Sequence, residues 1–197
     1  MDENNKFSFK NIFVPVVTLL IICCVTTALL ALTNAVTKEP ISQNNAKKAD
    51  ILRYSVFPGA SGFEKQDGYY TAVKDSEIIG YIFETSAKGY GGDIEVLTGV
   101  TADGTVAGVE IMSHGETPGL GANCTNESFK GQFKESVPQN NGYTVTKGNA
   151  NYENGEIDAI TGATISSKAV TSAVNKALEE YEKNVKGGNE LGRKKLH

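Results

Sequence analysis

Between Lys10 and Lys38 the chain carries no charged residue, and positions 12–32 are apolar apart from Pro15 and a few threonines. About 21 residues at about 1.5 Å of helical rise cover roughly 30 Å, the thickness of a bilayer's hydrocarbon core. The pattern predicts a transmembrane helix over 12–33, preceded by a short N-terminal tail at 1–11. A cleavable signal peptide shares the pattern, with Thr33-Asn34-Ala35 as a small-x-small site. The apolar core of such peptides runs only about 7–15 residues, so the length favours an uncleaved anchor. Cys23 and Cys24 follow Ile22 rather than a run of small residues, and read as small lipid-compatible side chains rather than a lipoprotein site.

At 34–44 the chain turns polar around Pro40 and reads as a juxtamembrane linker. Beyond it, 45–56 has helical spacing, with Ala49, Leu52 and Val56 on one side and Ile51 beside them, ending before Phe57-Pro58-Gly59. Strand-like runs follow at 69–74, 77–84, 93–101 and 105–112. The last two flank Ala102-Asp103-Gly104, a hairpin signal. Over 165–185, Val170, Val174, Leu178 and Tyr181 recur at helical spacing as an inward face, with Glu179, Glu180 and Lys183 outward. Gly187-Gly188 ends that helix, and 187–197 reads as a mobile tail. The order of helix, strands, irregular glycine-containing stretch and helix predicts one α+β domain at 45–186 on a membrane stalk.

Composition narrows the chemistry. The 197 residues carry a formal charge of -4, and the only basic run is Arg193-Lys194-Lys195. Nucleic acid is therefore excluded as a partner, since phosphate binding needs a basic face. Three cysteines and two histidines, without CxxC spacing, support neither a zinc site nor a protein-held iron–sulfur cluster. Redox chemistry here would need an organic cofactor. Lys6 and Lys10 before the anchor and Lys38, Lys47 and Lys48 after it leave orientation uncoded by charge. A short tail ahead of a first anchor resembles a signal anchor, with the N-terminus inside and the domain outside. Cys124 would then be alone on that side, without an intrachain disulfide partner.

Two loops resist a purely structural reading. In 114–123, Pro118-Gly119 is turn chemistry and Gly121 permits a close approach. His114 and Glu116 are two potential ligands without a third, so no metal site is expected. In 158–167, Thr161 or Thr164 reads as a plain helix N-cap. The same hydroxyls among small residues at a helix mouth also suit an anion, because free N–H groups and the macrodipole favour negative charge there. The segment is neither a P-loop nor a dinucleotide fingerprint. It also lacks an adjacent base for nucleophilic hydrolysis.

The run Asp158-Ala159-Ile160-Thr161-Gly162-Ala163-Thr164-Ile165-Ser166 resembles the flavinylation motif D-x-x-[ST]-G-A-T-x-[ST] of FMN-binding domains. Glu116-Thr117-Pro118-Gly119-Leu120-Gly121 resembles the second signature of that group. Both, in this order behind one anchor, resemble the RnfG family of the Rnf electron-transport complex. The NqrC family of the sodium-pumping NADH:quinone oxidoreductase shares both motifs and stands as the alternative. A membrane-tethered, non-redox binding module with an ordinary helix cap is the alternative of a different class.

The resemblance implies an FMN-binding domain with an antiparallel sheet and flanking helices. Thr164 would carry FMN through a phosphoester made from FAD by an exported flavin transferase. Asp158 and Thr161 would serve transferase recognition or hydrogen bonding around the ester, and Gly162 and Ala163 would give room for close approach. Glu116, Thr117, Gly119 and Leu120 would pack along the flavin ring. His114 has either a surface or a site role, and Cys124 a structural one. No residue of this chain is expected to catalyse a reaction alone. The implied role is a single-pass electron relay in the cell membrane, working with the other Rnf membrane subunits in an ion-translocating ferredoxin:NAD oxidoreductase.

Overall fold

The computed structural model describes residues 9–138 and 142–187. Most of the N-terminal tail and the tail at 188–197, read above as mobile, lie outside the described residues. The chain divides into two compact units, at 1–47 and 48–197.

The described part of the first unit, residues 9–47, is helical. It belongs to α1 (Phe9–Val56), whose apolar stretch Phe13–Ala35 has a mean hydropathy of 2.6 and turns none of its side chains into a protein core. The apolar segment predicted at 12–33 is thus one continuous helix. The polar stretch at 37–44 does not interrupt it, although Pro40 removes one ladder hydrogen bond. The residues around it, among them Glu39, Gln43, Ala46, Lys47 and Lys48, favour helix and carry it across.

The second unit begins with the last turns of α1. They end at Val56 and lead into a five-stranded antiparallel sheet in sequential order: β1 (Gly62–Lys65), β2 (Tyr70–Lys74), β3 (Glu77–Lys88), β4 (Asp93–Thr101) and β5 (Val106–Ser113). Each strand joins its neighbour by a short connection, which is why the order is that of the sequence. The four predicted strands are present. The predicted hairpin also closes, with Thr101 N–H donating to Thr105 O at 2.9 Å and Gly104 at φ +92°.

Both faces of the sheet are covered. On one lie Val56 and Phe57, packed on Ala72, Ile82 and Leu97. Gly80 and Gly99 make that approach possible, since a Cβ at either would fall on the Phe57 ring or the Val56 side chain. On the other face lies α4 (Thr164–Tyr181), continued by a π-helical turn at Glu182–Lys186. Its Val170, Ala173 and Val174 pack with Ile94, Val96, Val109 and Ile111 of the sheet. Thr85 Oγ1 donates to Ala173 O at 2.8 Å and pins the helix to β3.

One inward assignment at the end of α1 needs correction. Ile51 is 68% exposed, while Arg53, a charged residue, is buried. Arg53 is accepted there because its guanidinium pairs with Asp50 at 2.5 Å and Glu84 at 2.8 Å and lies 3.9 Å over the Tyr70 ring.

Between β5 and α4 the sequence reading found only an irregular stretch. It contains α2 (Glu127–Lys130), α3 (Gln132–Glu135) and a parallel pair, β6 (Thr144–Thr146) and β7 (Glu156–Asp158). These elements are too short to show a period. Phe129, Phe133, Tyr143 and Ile157 anchor them into the core beneath α4.

Candidate functional site

Two backbone approaches fix the site. The β3–β4 turn at 89–92 closes with Gly89 N–H donating to Gly92 O at 2.8 Å. It lies against the loop that follows β5. A Cβ at Gly91 would fall on the Gly115 carbonyl, so only glycine permits the two loops to touch. The contact carries Glu116 inward, where it is 5% exposed. Its Oε1 accepts from Gly91 N–H at 2.9 Å, and its Oε2 accepts from Ser166 Oγ in the first turn of α4. One carboxylate thus ties three chain segments together.

Burial pushes the Glu116 carboxyl up. The hydrogen bonds from Ser166, Gly91 and the Tyr90 backbone, with nearby His114, outweigh burial and hold it below the ordinary glutamate value. Gly121 is the third close approach, because a Cβ there would meet both the Glu116 carboxylate and the Ser166 hydroxyl.

The start of α4 corrects the helix-cap reading. Ala163 occupies the N-cap position and no side chain caps the helix. Ser167 Oγ accepts from Ile160 N–H and donates to Ala163 O, both at 2.9 Å, and so shapes the turn from inside the first helical turn. Thr161 is exposed. Thr164, the first helical residue, is half-buried, and its hydroxyl has no hydrogen-bond partner among the described residues. The reading of either threonine as the cap of α4 is thereby corrected. Ser167 N–H makes the first helical bond, to Ala163 O at 3.0 Å, so the amides of Thr164, Ile165 and Ser166 have no acceptor within the helix.

These segments enclose a cleft of about 540 Å³, within the range of small-molecule sites. Its walls are Tyr90, Glu116, Thr117, Leu120, Gly121, Gly162, Ala163, Thr164, Ile165 and Ser166. Gly162 sits at φ +76° under the Leu120 side chain, which joins the two loops. Of the residues expected from sequence, Thr164, Gly162, Ala163, Glu116, Thr117 and Leu120 therefore meet in one place.

Others stand apart. Asp158 turns its Oδ1 to Ala150 N–H at 3.1 Å, and its own N–H donates to Gln132 Oε1 at 2.7 Å. Neither it nor Thr161 lines the cleft. Gly119, at φ +76°, forms the exposed turn that aims Leu120. His114 Nδ1 accepts from Glu116 N–H at 3.2 Å behind the cleft wall. Cys124 is fully buried in the core, and burial, with the Glu116 charge nearby, pushes its thiol up to about 11.

Tyr90, Ile165 and Ser166 were not singled out from sequence. Ser166 stood in the quoted motif without a role. Tyr90 carried a signal only in hindsight, as an aromatic residue within the glycine-rich Gly89-Tyr90-Gly91-Gly92.

The FMN-binding domain family matches residues 89–179, and the RnfG N-terminal region matches 1–54. The RnfG-type protein of the proton-translocating ferredoxin:NAD(+) oxidoreductase complex of Clostridium ljungdahlii is 40% identical over 184 residues, covering 91% of this chain and 93% of that one. The chain belongs to the RnfG family.

Its relatives in that family include the counterpart in the Na(+)-translocating ferredoxin:NAD(+) oxidoreductase complex of Acetobacterium woodii, 34% identical over 91% of this chain and 96% of that one. Among solved structures, NqrC of the Na(+)-translocating NADH-quinone reductase from Parabacteroides distasonis superposes with a TM-score of 0.51 at 28% identity. The match covers 57% of this chain and 59% of that one. Shewanella oneidensis NqrC, at 23% identity and a TM-score of 0.50, shares the fold over 61% of this chain and 64% of its own. In this RnfG chain an apolar N-terminal helix precedes an FMN-binding domain.

The residues present suit FMN. Three helix amides without an acceptor among the described residues and the macrodipole of an 18-residue helix offer a seat for a phosphate. Tyr90, Leu120 and Ile165 give apolar surface for a flat ring. The Glu116 charge is already held by Ser166 and Gly91.

Proposed function

We propose that Thr164 carries FMN as a phosphoester and that the chain relays electrons between other subunits of a membrane-bound, ion-translocating oxidoreductase complex of the Rnf type. One observation carries this reading. The uncommitted Thr164 hydroxyl lies at the uncapped start of α4, in the same cleft as Glu116, Thr117 and Leu120. Two motifs distant in sequence thus converge on one hydroxyl and three free amides.

In the attachment reaction, Thr164 Oγ would bond to the FMN phosphorus of FAD as the pyrophosphate P–O bond breaks, and AMP would leave with the hydroxyl proton. An exported flavin transferase performs this step, and the chain's part is to present the threonine. Gly162 and Ala163 leave the approach open, and the α4 amides receive the phosphate. Bound FMN supplies reversible electron transfer without metal ligands from the protein. Tyr90 and Leu120 would shield the bound ring from water, while Glu116 holds the cleft walls together.

An exported transferase acts outside the cytoplasm, which supports placing the flavin domain on that side, behind one membrane pass with the N-terminus inside. The helix Phe13–Ala35 has no charged residue, so it offers no ion path of its own. Cation movement then belongs to the partner subunits.

The test is the mass of the full chain, purified after co-expression with an exported flavin transferase and denatured. The expected result is a gain of one FMN less one water on the peptide containing Thr164. Thr164→Val should abolish it, and Thr161→Val should retain it. An unmodified wild-type chain, beside a control substrate that the transferase does label, would refute the reading.

A further inference from the structure

Ile165 borders two depressions. One is the flavin cleft. The other is a shallower groove of about 330 Å³, lined by Ala87, Lys88, Lys168, Ser172 and Lys176 among others. Ile165, Lys168, Ser172 and Lys176 follow one another at three- and four-residue steps, so they form one exposed stripe of α4 that starts beside Thr164. Lys88 ends β3 alongside it.

The three lysines have no ion-pair partner among the described residues. Lys176 Nζ donates to Ser86 O at 2.6 Å, and Asp93, opposite Lys88 in the β3–β4 ladder, does not reach it. On a chain of net charge -4 this is an uncompensated positive strip. A second observation coincides with it. Tyr90, Leu120 and Ile165, at 74%, 47% and 55% exposure, gather around the mouth of the same cleft. Single exposed apolar side chains are ordinary, but a cluster around a cofactor cleft marks an interaction surface.

We propose that the cleft mouth and the lysine groove together form the docking surface for an electron-exchange partner protein, one presenting an apolar centre flanked by carboxylates. The proposal rests on the reading of Thr164 as the flavin carrier. Tyr90, Leu120 and Ile165 supply the desolvated centre, and Lys88, Lys168 and Lys176 the charged flank. Redox encounters use small interfaces, under about 1,200 Å², in which area gives little affinity. Complementary charge then supplies encounter rate and register. Because the lysines lie on one side of the mouth only, they orient the partner over the cleft.

The test uses the assembled complex with the full chain, comparing wild type with a K88E/K168E/K176E variant and with the corresponding triple arginine variant. Covalent flavin is measured on the denatured chain, and the rate of its reduction is followed after NADH is added, at low and high ionic strength. The expected result is unchanged flavin content, with reduction slowed roughly tenfold or more at low salt in the glutamate variant. That difference should shrink as salt rises, and the arginine variant should keep the wild-type rate. Full flavin with an unchanged rate overturns the docking surface alone. Lost flavin in the glutamate variant assigns the groove to the transferase, and lost binding to phosphatidylglycerol vesicles at an unchanged rate assigns it to lipid. Either overturns the proposal. A wild-type chain without covalent flavin refutes the function reading and takes this proposal with it. Should the triple variant fold poorly, Lys168→Glu alone leaves the Lys176–Ser86 bond intact, and a severalfold, salt-sensitive slowing is expected from it.

Discussion

Replacing Ser166 by alanine tests whether Glu116 is the clamp that holds the cleft together. Ser166 Oγ and Gly91 N–H both donate to that carboxylate, which is 5% exposed. A hydrogen bond to a charged group contributes about 1.5–3 kcal/mol, and one of the two donors is lost. For a domain of this size the change lowers the melting temperature by about 3–12 °C. The assay is thermal unfolding of the full chain, expressed without the transferase, followed by near-ultraviolet circular dichroism at a series of pH values. The Glu116 carboxyl lies below its ordinary value when folded, so its contribution is complete above the unfolded value. It is lost as pH falls through the folded one. The gap between wild type and Ser166→Ala should therefore be widest at neutral pH and close as the solution is acidified below the folded Glu116 value. Equal melting temperatures at neutral pH, or a gap that persists with Glu116 protonated, would refute the clamp.

Gly121→Ala forces a Cβ onto both partners of that bond, and an overpacking cost of about 1–3 kcal/mol is expected with reduced covalent flavin, read by melting temperature and in-gel fluorescence. Gly162→Ala places a side chain at φ +76° under Leu120; a loss of about 1–2 kcal/mol in urea unfolding checks it. Phe133→Ala empties the core beneath α4 at a fully buried position, with an expected loss of about 3–5 kcal/mol by the same measurement. Cys124, with its thiol pushed up to about 11 and no exposure, should resist iodoacetamide at pH 8 and react only once urea unfolds the domain, as peptide mass mapping will report.

How far the fold was legible follows from length and period. The four longer strands and α4 are long enough to reveal alternation or helical spacing, and the structure places them within a few residues of the expected bounds. β1, β6, β7, α2 and α3 have three or four residues each, too few for a period, and long-range contacts of Phe129, Phe133 and Ile157 decide their conformation. Ile51 was misassigned because spacing alone cannot anticipate that Arg53, with Asp50, Glu84 and Tyr70 around it, takes the buried place. The site divides along the same line. Thr164, Gly162 and Leu120 were legible as local motifs, whereas Tyr90 enters the cleft from a hairpin turn distant in sequence from both. What joins them is a set of backbone approaches at Gly91 and Gly121 that leave no trace in hydropathy, since a glycine kept for close contact looks in sequence like a glycine kept for a turn. The carboxylate of Glu116 then converts proximity into a fixed wall, because a buried charge stays only where donors from several segments are brought to it. The loop after β5 is for that reason fixed to both the β3–β4 turn and the first turn of α4.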